Sequence, residues 1–191
     1  MEGKIRIGLI YGSTRKGRFC DTVAGWAAEE IVNSGMFSLD VIDPAVVSLD
    51  AVQSPEHRQL SASLWQRVAQ ADAFVVVTPE YNHGYPAALK SLIDSVGAEW
   101  HAKPVAFVSY GGVSGGLRAV EQLRQVFAEL HTVTIRDAVS FAGAWELFDE
   151  AGKLLKPERH QSSMATMLTR LHWWAVALRR ARAEGPYSAA A

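Results

Sequence analysis

Three short segments concentrate the residues able to hold or transform a ligand. The first, Gly12-Ser13-Thr14-Arg15-Lys16-Gly17-Arg18, combines two hydroxyls with three cations and runs directly into a helical pattern. A helix start offers backbone N–H groups without intrahelical partners and a positive partial charge, and an arginine grips a phosphate with two donors. The segment therefore reads as a phosphate cradle, and the competing reading is a turn with solvated basic residues. Better-known nucleotide loops fit less well. The G-x-G-x-x-G fingerprint does not occur, and a P-loop would need Lys and Ser or Thr where Arg18 and Phe19 stand.

The second segment is Thr78-Pro79-Glu80-Tyr81-Asn82-His83-Gly84-Tyr85-Pro86. Its prolines stiffen the chain, and its two tyrosines suit a cover for a flat heterocycle whose acceptors face backbone N–H groups, or simply half-buried caps on the core. The third, Ser109-Tyr110-Gly111-Gly112-Val113-Ser114-Gly115-Gly116, places four glycines within six positions. Such density fits close approach of the backbone to a ligand, or a mobile turn.

Other chemistries find no constellation. Glu80 and His83 lie three apart without the companion spacing of a zinc site, and Ser13 and Ser109 lack a nucleophile-elbow context. The single cysteine, Cys20, excludes an internal disulfide and reads as a packed small hydrophobe, although a place near a helix start can lower a thiol pKa. A net charge of −1 leaves no basic field for nucleic acid or an anionic membrane, and too little acidity for a carrier docking to basic partners. No apolar run approaches the roughly 20 residues of a membrane span, and no signal-peptide pattern opens the chain, so a cytoplasmic location is expected.

The elements that must position these segments alternate in type. Apolar, β-branched stretches fall at 4–11, 37–43, 73–78, 104–110 and 132–140, with helical spacing between them. The stripes are Phe19, Val23, Ala27 and Ile31; Leu89, Leu92, Ile93 and Val96; Val120, Leu123, Phe127 and Leu130; and Met164, Met167, Leu168, Leu171, Trp174, Ala175 and Leu178. Residues 59–70 form the weakest helical pattern. Strands three and four are continuously apolar and belong inside a sheet, whereas strands two and five alternate, as edges do. The expected fold is α/β: a flavodoxin-like three-layer α/β/α sandwich with a five-stranded parallel sheet in the order 2-1-3-4-5. Its winding switch lies between strands one and three, so the loops after strands one, three and four converge there. The 191 residues predict one domain, 1–191, with an unstructured loop from Pro44 to Pro55 and a flexible tail over 184–191. Six tryptophans are many, and Trp100 together with Trp173-Trp174 is expected to mark a subunit interface.

The segments GSTRKGR, TPEYNHGYPAALKSLIDSV and SYGGVSGGLRAVEQLR resemble the NADPH-dependent FMN reductase family over roughly residues 4–140. The resemblance implies FMN as cofactor and NADPH, or NADH, as electron donor. It implicates Ser13, Arg15 and Arg18 at the FMN phosphate. Pro79, Glu80, Tyr81 and Asn82 then run along the isoalloxazine, and Ser109, Tyr110, Gly111 and Gly112 border its other side. Many members carry Ser in place of Arg18 and Asn in place of Cys20, so Arg18 is expected to supply a charged phosphate contact or to face solvent. The implied function is ping-pong hydride transfer from NAD(P)H to FMN and on to a small-molecule acceptor: free flavin, quinone, azo compound or metal oxyanion. No side chain is assigned as acid or base. Backbone N–H groups of Tyr81 and Asn82 are expected to face reduced flavin, and His83 is read as a polar loop residue rather than a proton donor. The resemblance also implies a homodimer or homotetramer. The alternatives are an electron carrier and a flavin-binding regulatory module without turnover.

Overall fold

The structure, a computed structural model, describes residues 3–46 and 58–187. Five strands, β1 (Ile5–Tyr11), β2 (Phe37–Ile42), β3 (Ala73–Pro79), β4 (Pro104–Gly111) and β5 (Val133–Ala142), alternate with helices α1 (Cys20–Asn33), α2 (Arg58–Gln70), α3 (Ala87–Asp94), α4 (Leu117–Glu129) and α5 (Glu158–Glu184). All strand pairs are parallel and the order is β2-β1-β3-β4-β5, as the strand patterns predict. Every residue of β3 and β4 is buried, while β2 and β5 each keep some residues exposed.

Side-chain alternation along the strands divides the core in two. Ile5, Ile7, Leu9, Val75 and Val77 pack beneath α1 and α5, against Val23, Ala27, Ile31, Met164, Leu168 and Leu171. On the other face Ile10, Phe74, Val76 and Phe107 meet Val68 of α2, Leu89 and Ile93 of α3, and Val120, Leu123 and Phe127 of α4. Each large apolar side chain so enclosed contributes about 1.5–3 kcal/mol over exposure. Pairing of β4 with β5 slips between Val105 and Phe107, where Thr134 and then Ala138 are the partners. The resulting bulge displaces the end of β5 relative to β4.

Three expectations need correction. Trp100 is fully buried, wedged between Phe74 and Phe127 with its Nε1–H donated to Ile93 O at 3.1 Å, so it takes no part in any interface. Trp174 leaves the core stripe of α5: it is 36% exposed, beside Trp173 at 64%. The tail is held as far as Tyr187, whose hydroxyl lies 3.0 Å from His131 Nδ1 and whose ring packs on His101 and His131. Residues 188–191 lie outside the described residues, as does 47–55 of the expected loop.

Candidate active site

The carboxyl ends of β1, β3 and β4 lie side by side, and each contributes its loop. β1 and β3 approach so closely that Gly12 N–H donates to Val77 O at 2.7 Å, and a Cβ at residue 12 would stand 2.6 Å from that oxygen. Glycine is the residue this crossing admits. Beyond it the chain turns outward: Ser13 is fully buried, whereas Thr14, Arg15, Lys16 and Gly17 are exposed at the head of α1.

The second loop is a tight hairpin. Tyr81 and Gly84 exchange backbone hydrogen bonds of 2.9 and 3.0 Å, with Asn82 and His83 both at positive φ, 49° and 68°, which is the two-residue type I′ geometry. The Tyr81 N–H is therefore spent on Gly84 O and does not face a ligand, contrary to the sequence expectation. Asn82 and His83 are exposed at the tip. The His83 carbonyl accepts from Gln122 Nε2 at 2.9 Å, which ties the hairpin tip to α4.

Tyr81 joins the first two loops. Its hydroxyl sits 2.9 Å from Ser13 Oγ, and the Arg15 guanidinium stacks over its ring at 3.6 Å, within the range of a cation–π contact. Glu80 joins the second loop to the third. Its carboxylate, 6% exposed, accepts from Ser114 Oγ at 2.7 Å, from Arg118 Nε at 2.5 Å and from Arg118 N at 3.2 Å. Burial opposes its ionisation, but the Ser114 hydroxyl and the Arg118 guanidinium outweigh burial and hold it below the usual carboxylate range. Glu80 is thus a clamp on α4, with its charge balanced before any ligand arrives.

In the third loop the side chains of Ser109 and Tyr110 turn into the protein. Ser109 Oγ donates to Gly115 O at 2.8 Å, and Ser140 Oγ reaches the same oxygen at 2.9 Å. Tyr110 is buried in the core with its hydroxyl beside Cys20, and burial raises both groups above their ordinary pKa values. Cys20 is accordingly an inert, enclosed thiol. Pro79 is buried at the end of β3. Gly115 and Gly116 adopt left-handed φ of 60° and 84°, folding the loop back on the sheet, while Gly112 borders open space.

Arg18 lies apart from the exposed cations. Its Nε–H donates to Asp21 Oδ1 at 2.8 Å and its Nη1 to Asp43 Oδ1 at 2.8 Å; further short contacts run to Asp43 Oδ2 and the Ser13 carbonyl. Asp43, just beyond β2, was not singled out in the sequence. Neither were Ser114, Arg118 and Gln122, whose long-range partners leave no local pattern.

A profile of the NADPH-dependent FMN reductase family matches residues 5–146. The chain belongs to that family. The NADPH-dependent FMN reductase family is represented among its relatives by an NAD(P)H-dependent FMN reductase of Saccharomyces cerevisiae, 36% identical over 140 residues, covering 64% of this chain and 73% of that one. A quinone reductase of Pseudomonas putida is 31% identical over 161 residues, covering 78% and 83%. A flavoenzyme NAD(P)H:(acceptor) oxidoreductase of Paracoccus denitrificans shares the fold with a TM-score of 0.70 over 91% of this chain and 98% of that one, at 19% identity. The chain is accordingly an oxidoreductase that uses FMN with a reduced nicotinamide as donor.

The site fits FMN on its own chemistry. Thr14, Arg15 and Lys16 at the head of a 14-residue helix suit a phosphate dianion, and open backbone at Gly112 suits an approaching ring. Pairing with Arg118 balances the Glu80 carboxylate, whose bare charge would repel reduced flavin. Bound FMN supplies the hydride and electron chemistry; the protein supplies position and field. Among the described residues no helix is long and apolar enough to cross a membrane, and no group of three or more His, Cys, Asp or Glu side chains is placed to hold a metal ion.

Proposed function

We propose that the protein takes a hydride from NAD(P)H into FMN and passes it to a small-molecule acceptor, a quinone foremost, by alternate occupation of one cleft. The observation that carries this reading is the junction of the three loops: Ser13 and Arg15 on Tyr81 from one side, Ser114 and Arg118 on Glu80 from the other. Likeness to a quinone reductase supports the choice of acceptor. In this reading Arg15, with Thr14, Lys16 and the loop N–H groups, holds the phosphate. Pro79, Tyr81 and Asn82 flank the ring on one side and the backbone of Ser109, Tyr110, Gly111 and Gly112 on the other, while Ser13 and Glu80 fix the loops. Titrating the flavin-free protein with FMN and then adding NADPH without oxygen tests it. Perturbed flavin absorption followed by bleaching is expected; binding without bleaching would indicate an electron carrier or a regulatory module instead. Parallel initial-rate lines are expected with NADPH and a quinone, and intersecting lines would exclude alternate occupation.

The whole chain acts as one FMN-binding domain in the cytoplasm and pairs with a second copy. Trp173 and Trp174, exposed on α5 beside the Asp137–Arg170 ion pair of the edge strand, support pairing there. Light scattering at micromolar concentration reads the outcome: a dimer that Trp173→Ala dissociates is expected, and a monomeric parent would exclude pairing.

A further inference from the structure

Arg18 occupies the stretch where the family resemblance expects a phosphate ligand, yet its donors are already assigned. Two carboxylates, Asp21 and Asp43, and one backbone carbonyl, that of Ser13, receive them, and the guanidinium lies 5.2 Å from the Tyr11 ring centroid. The Arg18 side chain is 9% exposed and that of Asp43 16%. Two neighbouring carboxylates cancel its charge locally, whereas Arg15 and Lys16 keep theirs at the surface.

Asp43 is itself firmly placed. It follows β2, which pairs with β1 up to Ile10↔Ile42, and its Oδ1 accepts from Ala45 N–H at 2.9 Å in an Asx turn. Arg18 therefore strings the first loop to the edge strand. The bond to the Ser13 carbonyl has a directional consequence. In a trans peptide, C=O and N–H point to opposite sides, and the described chain contains no cis bonds. Holding the Ser13 carbonyl toward Arg18 turns the Thr14 N–H away from Arg18.

We propose that Arg18 and Asp43 are positioning residues that set the backbone of the first loop for the FMN phosphate, Arg18 having Asp43 rather than the phosphate as its partner. The proposal rests on the FMN reading above and deepens it. A direct ligand and a positioning pair make opposite predictions for Asp43. If Arg18 touches phosphate, removing Asp43 frees it to do so; if Arg18 orients the loop, Asp43 matters as much as Arg18.

The test is equilibrium binding of FMN and of riboflavin, which lacks the phosphate, to flavin-free parent, Arg18→Ala, Arg18→Lys, Asp43→Asn and the Arg18→Ala/Asp43→Asn double variant. Flavin fluorescence gives affinity, and thermal melting gives the integrity of each protein. The parent is expected to bind FMN at least about ten-fold more tightly than riboflavin. Arg18→Ala and Asp43→Asn should each weaken FMN by about ten-fold with riboflavin changed less than about two-fold, and the double variant should be no worse than either single. Unchanged or tighter FMN binding by Asp43→Asn would overturn the proposal and make Arg18 a direct ligand. Equal losses for FMN and riboflavin would overturn it in favour of general support of the fold. Should Arg18→Ala fail to melt cooperatively, Arg18→Lys and the near-isosteric Asp43→Asn carry the same comparison. A parent that binds no FMN sinks the underlying reading instead, before any variant is measured.

Discussion

The Glu80 carboxylate meets the Arg118 guanidinium at 2.5 Å, across a gap of 38 residues in sequence. A residue expected to lie along the flavin is, in the folded protein, the pin that fixes α4 and the glycine-rich loop to the end of β3. Both of its oxygens are committed within the protein, Oε2 to Ser114 Oγ and Arg118 N and Oε1 to Arg118 Nε.

Replacing Glu80 by Gln keeps the shape and removes the charge. The Arg118 side chain is half exposed and solvent screens it, so a loss of about 1–2 kcal/mol is expected, mostly from the part-buried Ser114 contact to the enclosed carboxylate. Urea unfolding measures it. Proteolysis near Val113, which is fully exposed at the loop tip, should accelerate in the variant.

Acid should unfold the protein through its arginine-paired carboxylates. Arg67 holds Asp40, Arg18 holds Asp43 and Arg170 holds Asp137 below the usual carboxylate range. For a depressed carboxylate the stabilisation is complete above its unfolded pKa, about 4, and disappears as pH falls through the lower folded value. Melting temperatures recorded from about pH 7 down to about pH 3 should therefore drop below about pH 4. Asp40→Asn and Asp43→Asn, less stable at neutral pH, should show a shallower drop; identical slopes in variant and parent would refute the assignment.

Lys103 predicts the opposite limb. Its Nζ is enclosed at the amino end of β4, donating to Val68 O at 2.6 Å and Ala69 O at 2.9 Å, two carbonyls in the last turn of α2. Burial, helped by Arg182, pulls its pKa down to about 8. Between that value and the unfolded one, about 10.4, the unfolded chain binds a proton that the folded chain has released, so this group adds stability as pH rises through the window. Lys103→Met lacks the increment. Urea unfolding of both proteins at about pH 7.5 and about pH 10.5 should show the parent gaining on the variant by on the order of 2–3 kcal/mol.

Two glycines of the third loop separate backbone need from mere openness. At Gly116 a Cβ would lie 2.8 Å from Ser109 Cβ and 2.9 Å from Tyr110 N, on a φ of 84°. Gly116→Ala should cost about 2–4 kcal/mol. Gly112 has nothing within 4 Å of that position, and Gly112→Ala should change stability by less than about 0.5 kcal/mol. Chemical denaturation of the pair decides; similar losses would show that loop conformation was misassigned.

The sheet order was legible because burial on both faces writes itself into β3 and β4 as unbroken apolar runs, whereas the alternation of β2 and β5 marks them as edges. The three loops were legible for the same reason, since topology dictates which strand ends meet. What each side chain does there was not. Ser109, Tyr110 and Glu80 are spent on Gly115, the core and Arg118, partners set by tertiary packing rather than by neighbours in sequence. Arg18 and Asp43 stand 25 residues apart on different strand ends, so no spacing rule could pair them. Trp100 was misjudged because a three-residue 3₁₀ turn, Ala98–Trp100, is too short to carry a periodicity that reveals its inward face.

The last helix lies beyond the segment shared with the family profile, which ends at Glu146. Yet Met164, Met167, Leu168 and Leu171 lie against the same face as Ile5, Ile7 and Leu9. A ribosome releases β1 well over a hundred residues before the helix that shields it. During that interval every ligand-bearing loop has been made, while half of one sheet face is still bare and able to adhere to other chains. Productive folding should hence wait for the stretch from Met164 to Ala175 of α5 to emerge, and truncations that remove it should yield aggregates rather than partly active enzyme.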